Sequence, residues 1–168
     1  VYLILGNDGD LSVEQDHIGA FLRDSDPNSS SDSYSDLLLE RGDKELARNT
    51  SIALDNTWAP KLHLAGNGMR SADDFFYKPY EAALQNPGVE AKALAYWSQP
   101  FVLEGNPNDS YRMIAYSLPL MYEGRVYGVL GIEVSTAYLA DTCFPISELS
   151  GSEAGGYALA LANDDGSY

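Results

Sequence analysis

The chain has 168 residues, of which 45% are hydrophobic, and this is enough to bury one core without disulfide or metal support. Its formal net charge of −15 repels the phosphates of nucleic acids, and no cluster of Lys and Arg interrupts that field, so nucleic acid is excluded as a partner. Cys143 is the only cysteine, which excludes an intrachain disulfide and a cysteine-based metal site. The sequence has no stretch approaching the roughly 18 to 20 apolar residues of a membrane-spanning helix.

The first part of the chain predicts a strand, a long polar loop and a short helix. The apolar run Val1-Tyr2-Leu3-Ile4-Leu5 is typical of a strand. Residues 7–36 are rich in Asp, Ser, Asn and Gly, which favour turns, so we expect a long surface loop or insertion there. Residues 36–42 fit a short strand or a helical turn ended by Gly42, and residues 43–48 fit one or two turns of helix.

The clearest helix begins near Asp73 and Asp74. Acidic residues suit the first turn of a helix, Pro79 fits an early helical position, and Asn86-Pro87-Gly88 ends the run. We expect Tyr80, Ala83 and Leu84 to share one face of this helix. Residues 93–98 are a strand candidate.

The best-defined element is a hairpin of residues 111–122 and 125–135, joined by Glu123-Gly124. A two-residue turn would place Tyr116 opposite Gly131 and Ile114 opposite Glu133 on one face. Gly131 would then leave a space beside Glu133 for a small ligand, because a buried carboxylate needs a cationic or hydrogen-bonding partner. In the other interpretation, Tyr116 covers Gly131 and Glu133 reaches solvent.

Three segments carry a family resemblance: Tyr96-Trp97-Ser98-Gln99-Pro100-Phe101, then Ile114-Ala115-Tyr116-Ser117-Leu118-Pro119-Leu120, then Gly124-Arg125-Val126-Tyr127-Gly128-Val129-Leu130-Gly131-Ile132-Glu133-Val134-Ser135. In this order and spacing they resemble the distal module of double Cache sensor domains, over about residues 73–145. The resemblance implies an α+β, PAS-like fold with a central antiparallel sheet flanked by helices. Such domains lie outside the membrane on bacterial chemoreceptors, histidine kinases and diguanylate cyclases.

The same resemblance implies a domain organisation. Residues 1–145 correspond to a membrane-distal ligand-binding module, and residues 146–168 to a linker and the first strand of an incomplete membrane-proximal module. A long helix before Val1 would lead to a membrane span, so the intact receptor would be anchored by segments outside this sequence and could form a homodimer.

Amino-acid-binding members of this family hold the ligand carboxylate with an Arg-x-Trp-Tyr segment and the ammonium group with a Tyr and an Asp. In this chain, Lys78-Pro79-Tyr80-Glu81 occupies the first segment, Phe101 stands in place of the Tyr, and Glu133 in place of the Asp. Lys78 supplies a positive charge but lacks the planar, two-pronged contact that arginine makes with a carboxylate.

The predicted pocket lies between the sheet and the segment of residues 75–84. Its expected lining residues are Lys78, Tyr80, Tyr96, Ser98, Phe101, Tyr116 and Glu133. We expect a sensor module that binds an amino acid, an amine or a carboxylate without a cofactor, and whose conformational change reaches the membrane helices. The alternative is a ligand-free interaction module, in which side chains fill the pocket and the acidic insertion at residues 24–36 meets a protein partner.

The other residues that could bind a metal or take part in catalysis favour interpretations without such a role. His17 and His63 each lack a second ligand at metal-binding spacing, so surface or loop positions are expected for both. The oxygen-bearing side chains of residues 24–36 could suggest a calcium site, but their spacing lacks the glycine and terminal glutamate of an EF-hand loop, so a solvated acidic insertion is the favoured interpretation. These side chains are Asp24, Asp26, Asn28, Asp32 and Asp36. The sequence has no Gly-x-Ser-x-Gly elbow, and no nucleophile and base are evident, so an extracytoplasmic hydrolase is the least favoured class.

Overall fold

The computed structural model describes residues 1–7, 9–25, 36–102 and 112–143, which form an α+β fold. Among these residues, one sheet of eight strands has the order β5-β4-β3-β1-β10-β9-β7, with β8 paired to β9, and a separate two-stranded ribbon joins β2 and β6. The strands are β1 Tyr2–Leu5, β2 Gln15–His17, β3 Gly19–Asp24, β4 Leu37–Gly42, β5 Ala53–Ala59, β6 Leu62–Leu64, β7 Tyr96–Trp97, β8 Phe101–Val102, β9 Arg112–Tyr122 and β10 Arg125–Ser135. The helices of the described residues are α1 Lys44–Thr50, α2 Asp74–Gln85 and α3 Thr136–Cys143.

Several sequence-based predictions are confirmed. The first strand, α1, α2 and the β9–β10 hairpin lie where they were expected. Asp43 caps α1 by accepting a hydrogen bond from the Glu45 amide, and Ser51 ends the helix in the left-handed region at φ 60°. Within the described residues, none of the helices is both long and apolar enough to cross a membrane.

Other predictions are wrong. The supposed loop of residues 7–36 contains β2 and β3, because Phe21 and His17 have buried partners that a polar composition does not reveal. The sheet is mixed and not wholly antiparallel, since β4 and β5 run parallel. Leu84 is 51% exposed, so only Tyr80 and Ala83 of the predicted helix face are buried. The boundary at residue 145 and the strand predicted within residues 146–168 lie outside the described residues.

The core lies between α2 and one face of the sheet, called the inner face. It is built largely from aromatic side chains, and Tyr2 stacks on Phe21 with ring centroids 5.3 Å apart and meets the edge of Phe75 at 5.1 Å. Two further inner-face residues, Ala115 and Val129, are fully buried under the helix. Burying aromatic area of this kind is the main source of stability for a domain this small.

A β-bulge shifts the register of the hairpin. The turn pairs Val126 with Met121 as expected, but Gly128 already pairs with Leu120, so Tyr127 is the extra residue. A one-residue shift moves every later side chain to the other face relative to its partner strand. Gly131 therefore lies opposite Ser117, and Glu133 lies opposite Ala115, which corrects the predicted pairs with Tyr116 and Ile114.

The opposite side of the same strands, called the outer face, carries exposed apolar side chains. Leu130 and Ile132 of β10 are each 44% exposed, and Trp97 of β7 is 49% exposed beside Tyr116. At the other end of the sheet, Leu39 of β4 is fully buried. The outer face is thus apolar but only partly covered within the described part of the chain.

Candidate functional site

Glu133 lies near the end of β10 on the inner face, on the same side of the strand as Val129 and Gly131. Its Oε1 atom is buried and has no hydrogen-bond partner among the described residues. Burial raises the pKa of Glu133 to about 8, and the neighbouring Glu40 adds to this shift. A positively charged hydrogen-bond donor placed beside this carboxyl would stabilise its ionised form and lower its pKa.

The space beside Gly131 is filled by Tyr2. A Cβ atom built on Gly131 would collide with the phenol end of Tyr2 and lie 2.7 Å from the Tyr116 carbonyl oxygen. The Tyr2 hydroxyl reaches across β10 to Ser117 on β9, where it lies 2.6 Å from Ser117 Oγ in a buried hydrogen bond. An aromatic residue does cover the glycine, as in one of our two interpretations, but it comes from β1 and not from the hairpin.

A charged cluster continues along the inner face from Glu133 toward β5. Glu40 is the bulged residue of β4, and Arg23 Nε lies 3.3 Å from its carboxylate. Arg23 also pairs with Asp55, whose side chain is only 2% exposed. Burial raises the pKa of Glu40, whereas hydrogen bonds from Thr57 hold the pKa of Asp55 below its usual value. The carboxylates of Glu133, Glu40 and Asp55 therefore lie at this end of the face with the guanidinium of Arg23, and the guanidinium of Arg41 is also close to Glu40.

The structure does not bring all seven predicted lining residues together. Lys78 is exposed on α2. Burial raises the pKa of the neighbouring Asp74, and the charge of Lys78 opposes that rise only in part. Tyr80 is 6% exposed, stacks on Phe76 at 5.2 Å, and reaches Gly6, where an added Cβ would collide with its ring. Both residues belong to α2, but only Tyr80 points into the core.

Phe101, Tyr96 and Ser98 border the inner face on the other side. Phe101 is 8% exposed and stacks on Phe75 at 6.0 Å, so it is part of the core. Burial raises the pKa of Tyr96, with a smaller contribution from Asp74, which places Tyr96 beside the start of α2. Ser98 Oγ accepts a hydrogen bond of 2.8 Å from the Ala115 amide, so it secures the edge of β9.

Tyr116 lies on the outer face and cannot line an inner-face pocket. Its ring centroid is 4.7 Å from that of Trp97, and its partner across the hairpin is Ile132. Of the predicted set, Glu133 is the residue with an unsatisfied polar atom on the inner face. Sequence reasoning missed the residues that surround Glu133 and Gly131, because they come from strands far apart in the chain. These residues are Tyr2, Ser117, Arg23, Glu40 and Asp55.

Within the described residues, a shallow depression lined by Leu3, Gly19, Ala20, Arg41 and Leu62 among others is too tight to enclose a water molecule.

Comparison with known protein families found no match, and searches of curated proteins and of solved structures also found no similar chain.

Proposed function

We propose that this chain is the extracytoplasmic sensor module of a bacterial transmembrane receptor, of the PAS-like double Cache type, and that it binds a small organic ligand bearing an ammonium group. The Oε1 atom of Glu133, which is buried and has no hydrogen-bond partner in the part of the chain that the structure describes, carries the proposal. Support for the fold type comes from the long hairpin with an aromatic helix packed on its inner face and from the order of the three resembling segments.

The chemistry of the site favours an amine over a carboxylate. An ammonium group supplies both the positive charge and the N–H donor that Glu133 lacks, and Glu40 adds negative potential beside it. Arg23 is already engaged with Glu40 and Asp55, and Lys78 is exposed on α2, so neither is placed to receive a ligand carboxylate at Glu133. An amine without a carboxylate is therefore the preferred ligand class.

The position of Glu133 also suggests how binding would be transmitted. β10 ends at Ser135, and α3 begins at the next residue. Ser135 Oγ accepts a hydrogen bond of 2.9 Å from the Tyr138 amide, and Thr136 Oγ1 donates to the Arg112 carbonyl at 3.2 Å. A ligand that shifts Glu133 would move the start of α3 relative to β9, because these contacts join the three elements.

The test is calorimetry with monoamines, diamines, amino acids and dicarboxylates, on the wild type, Glu133→Gln and the matched control Glu123→Gln. Glu123 is exposed in the hairpin turn, so its variant should bind as the wild type does. We expect amine binding that tightens as the pH rises through about 8, since the carboxyl of Glu133 then ionises, and a loss of about tenfold or more in Glu133→Gln. Equal affinities in all three proteins, or binding of dicarboxylates alone, would refute the proposal.

A second candidate function is supported by a separate observation. Tyr2 and Tyr80 occupy the spaces beside Gly131 and Gly6, as expected for a module whose pocket is filled by its own side chains. Such a module would act through a protein partner, and the acidic insertion at residues 24–36 and the exposed apolar outer face are its candidate contacts. A thermal-shift screen in which no amine, amino acid or carboxylate raises the melting temperature would favour this function over ligand sensing.

A further inference from the structure

His17 is buried at the point where the β2–β6 ribbon meets the rest of the fold. It is 1% exposed, and its ring centroid lies 4.6 Å from that of Phe76 on α2. Its Nδ1 atom lies 3.1 Å from the Leu5 carbonyl oxygen, while the Leu5 amide donates to the Ile18 carbonyl at 2.8 Å. This corrects the expected surface position, whereas His63 is indeed on the surface, with 56% of its side chain exposed.

The hydrogen-bond pattern defines the protonation state that the site accepts. A carbonyl oxygen can only accept, so Nδ1 must carry the hydrogen in the neutral ring. Nε2 is then a bare lone pair, and it is buried without a partner among the described residues. Protonation would place a new N–H group there with no acceptor, so burial lowers the pKa of His17.

The charged groups around His17 oppose this effect only in part. Asp16 on β2 and Asp73 before α2 both favour the protonated ring. Asp73 is already bound, since it accepts from the Ala65 amide at 2.9 Å and pairs with Arg70 at 3.0 Å. On the ribbon, Asp16 faces His63 at 3.1 Å and Lys61 at 3.8 Å.

The remaining contacts of the ribbon with α2 involve groups that do not change charge near neutral pH. The Tyr77 hydroxyl donates to the Ala65 carbonyl at 2.6 Å, and burial raises the pKa of that phenol further. Leu64 of β6 is 1% exposed in the same core, and the β1 residues next to Leu5 are apolar. Among these contacts, His17 is the group whose charge would change on mild acidification.

We propose that His17 is an acid-sensitive latch: its neutral ring holds the β2–β6 ribbon against β1 and α2, and its protonation releases the ribbon. The free histidine in an opened ribbon titrates near its ordinary pKa of 6.5, and the docked one titrates lower. The opened state therefore binds the proton first, and the docked state loses stability as the pH falls below 6.5. Above that pH the contribution of His17 to docking is constant.

Hydrogen exchange with mass spectrometry tests this latch, on the wild type, His17→Gln and the matched control His63→Gln. After correction for intrinsic rates, wild-type ribbon amides should lose up to about tenfold in protection, relative to β9 and β10, for each pH unit between 6.5 and the lower docked pKa, and the loss should level off below the docked pKa. His63→Gln should behave as the wild type does, and His17→Gln should show no such pH dependence. The same loss in His17→Gln, or none in the wild type, would overturn the latch.

A second measurement needs no variant and covers the case in which His17→Gln does not fold. The two histidines give separate imidazole signals in a proton NMR titration of the wild type. We expect the His17 signal to titrate below 6.5 together with the loss of ribbon protection. A His17 signal that titrates at or above that value would equally overturn the proposal.

Discussion

The hydroxyl of Tyr2 lies 2.6 Å from Ser117 Oγ, and this bond joins two residues that are 115 positions apart in the chain. It crosses over Gly131 on the strand between them, so the phenol occupies the space that a side chain would take. Burial raises the pKa of Tyr2, which keeps the phenol neutral and hydrogen-bonded across the physiological range.

This contact predicts a measurable coupling. Tyr2→Phe and Ser117→Ala should each lower the free energy of unfolding by about 1 to 2 kcal/mol, because each leaves the other hydroxyl buried without a partner. The double variant should show a coupling of about 1 kcal/mol in urea unfolding. Tyr122→Phe is the control and should change nothing, since Tyr122 is 65% exposed. Additive losses would show that the bond contributes no stability.

Glu133 predicts an unusual pH dependence of stability. Its pKa rises from 4.5 in the unfolded chain to about 8 in the fold, so the fold disfavours the ionised form. Stability should be fully present below about pH 4.5, fall as the pH rises toward 8, and be level above that. The free energy of unfolding of Glu133→Gln should therefore exceed that of the wild type by on the order of 5 kcal/mol near pH 9 and match it near pH 4. Denaturant melts at both pH values test this, and a variant less stable than the wild type at pH 9 would contradict it.

Asp55 predicts the opposite dependence. It accepts from the Thr57 amide at 2.7 Å and from Thr57 Oγ1 at 2.6 Å, and these bonds with Arg23 hold its pKa below 3.8. The ionised Asp55 therefore stabilises the fold above pH 3.8, and this stabilisation is lost as the pH falls through the lowered pKa of Asp55. In thermal melts at neutral pH, Asp55→Asn should lower the free energy of unfolding by about 2 kcal/mol. The control Asp16→Asn, which removes a carboxylate with 52% exposure, should lower it by less than about 1 kcal/mol.

A substitution of Ser98 tests whether this residue has a structural role or a ligand-binding role. Its Oγ accepts from the buried Ala115 amide, and its own amide donates to the Ala115 carbonyl at 2.9 Å. Ser98→Ala should lower the free energy of unfolding by about 1 to 2 kcal/mol, since the Ala115 amide loses its partner. Calorimetry of the variant with any amine that binds the wild type should give an unchanged affinity. A large loss of affinity with unchanged stability would return Ser98 to the ligand site.

Much of the fold follows from local pattern. The acids before α2, its early proline and the Asn86-Pro87-Gly88 stop place that helix within a residue or two, because capping and breaking act over a few positions. The hairpin follows from its β-branched and aromatic strands around Glu123-Gly124. The short strands β2 and β3 escaped prediction because the surrounding Asp, Ser and Gly residues dominate the composition there.

By itself, the sequence determined the strong negative charge, the helix α2, the β9–β10 hairpin and the position of Glu133 near the end of β10. Only the tertiary structure decided which residues surround that acid, since a single bulge at Tyr127 moved Tyr116 to the outer face. It also brought Tyr2 over Gly131, grouped Arg23 with Glu40 and Asp55, and buried His17. The alternation of side chains along a strand predicts which residues share a face. Which side chains lie next to them depends on register and strand order, and these are determined by pairings between segments that are distant in the chain.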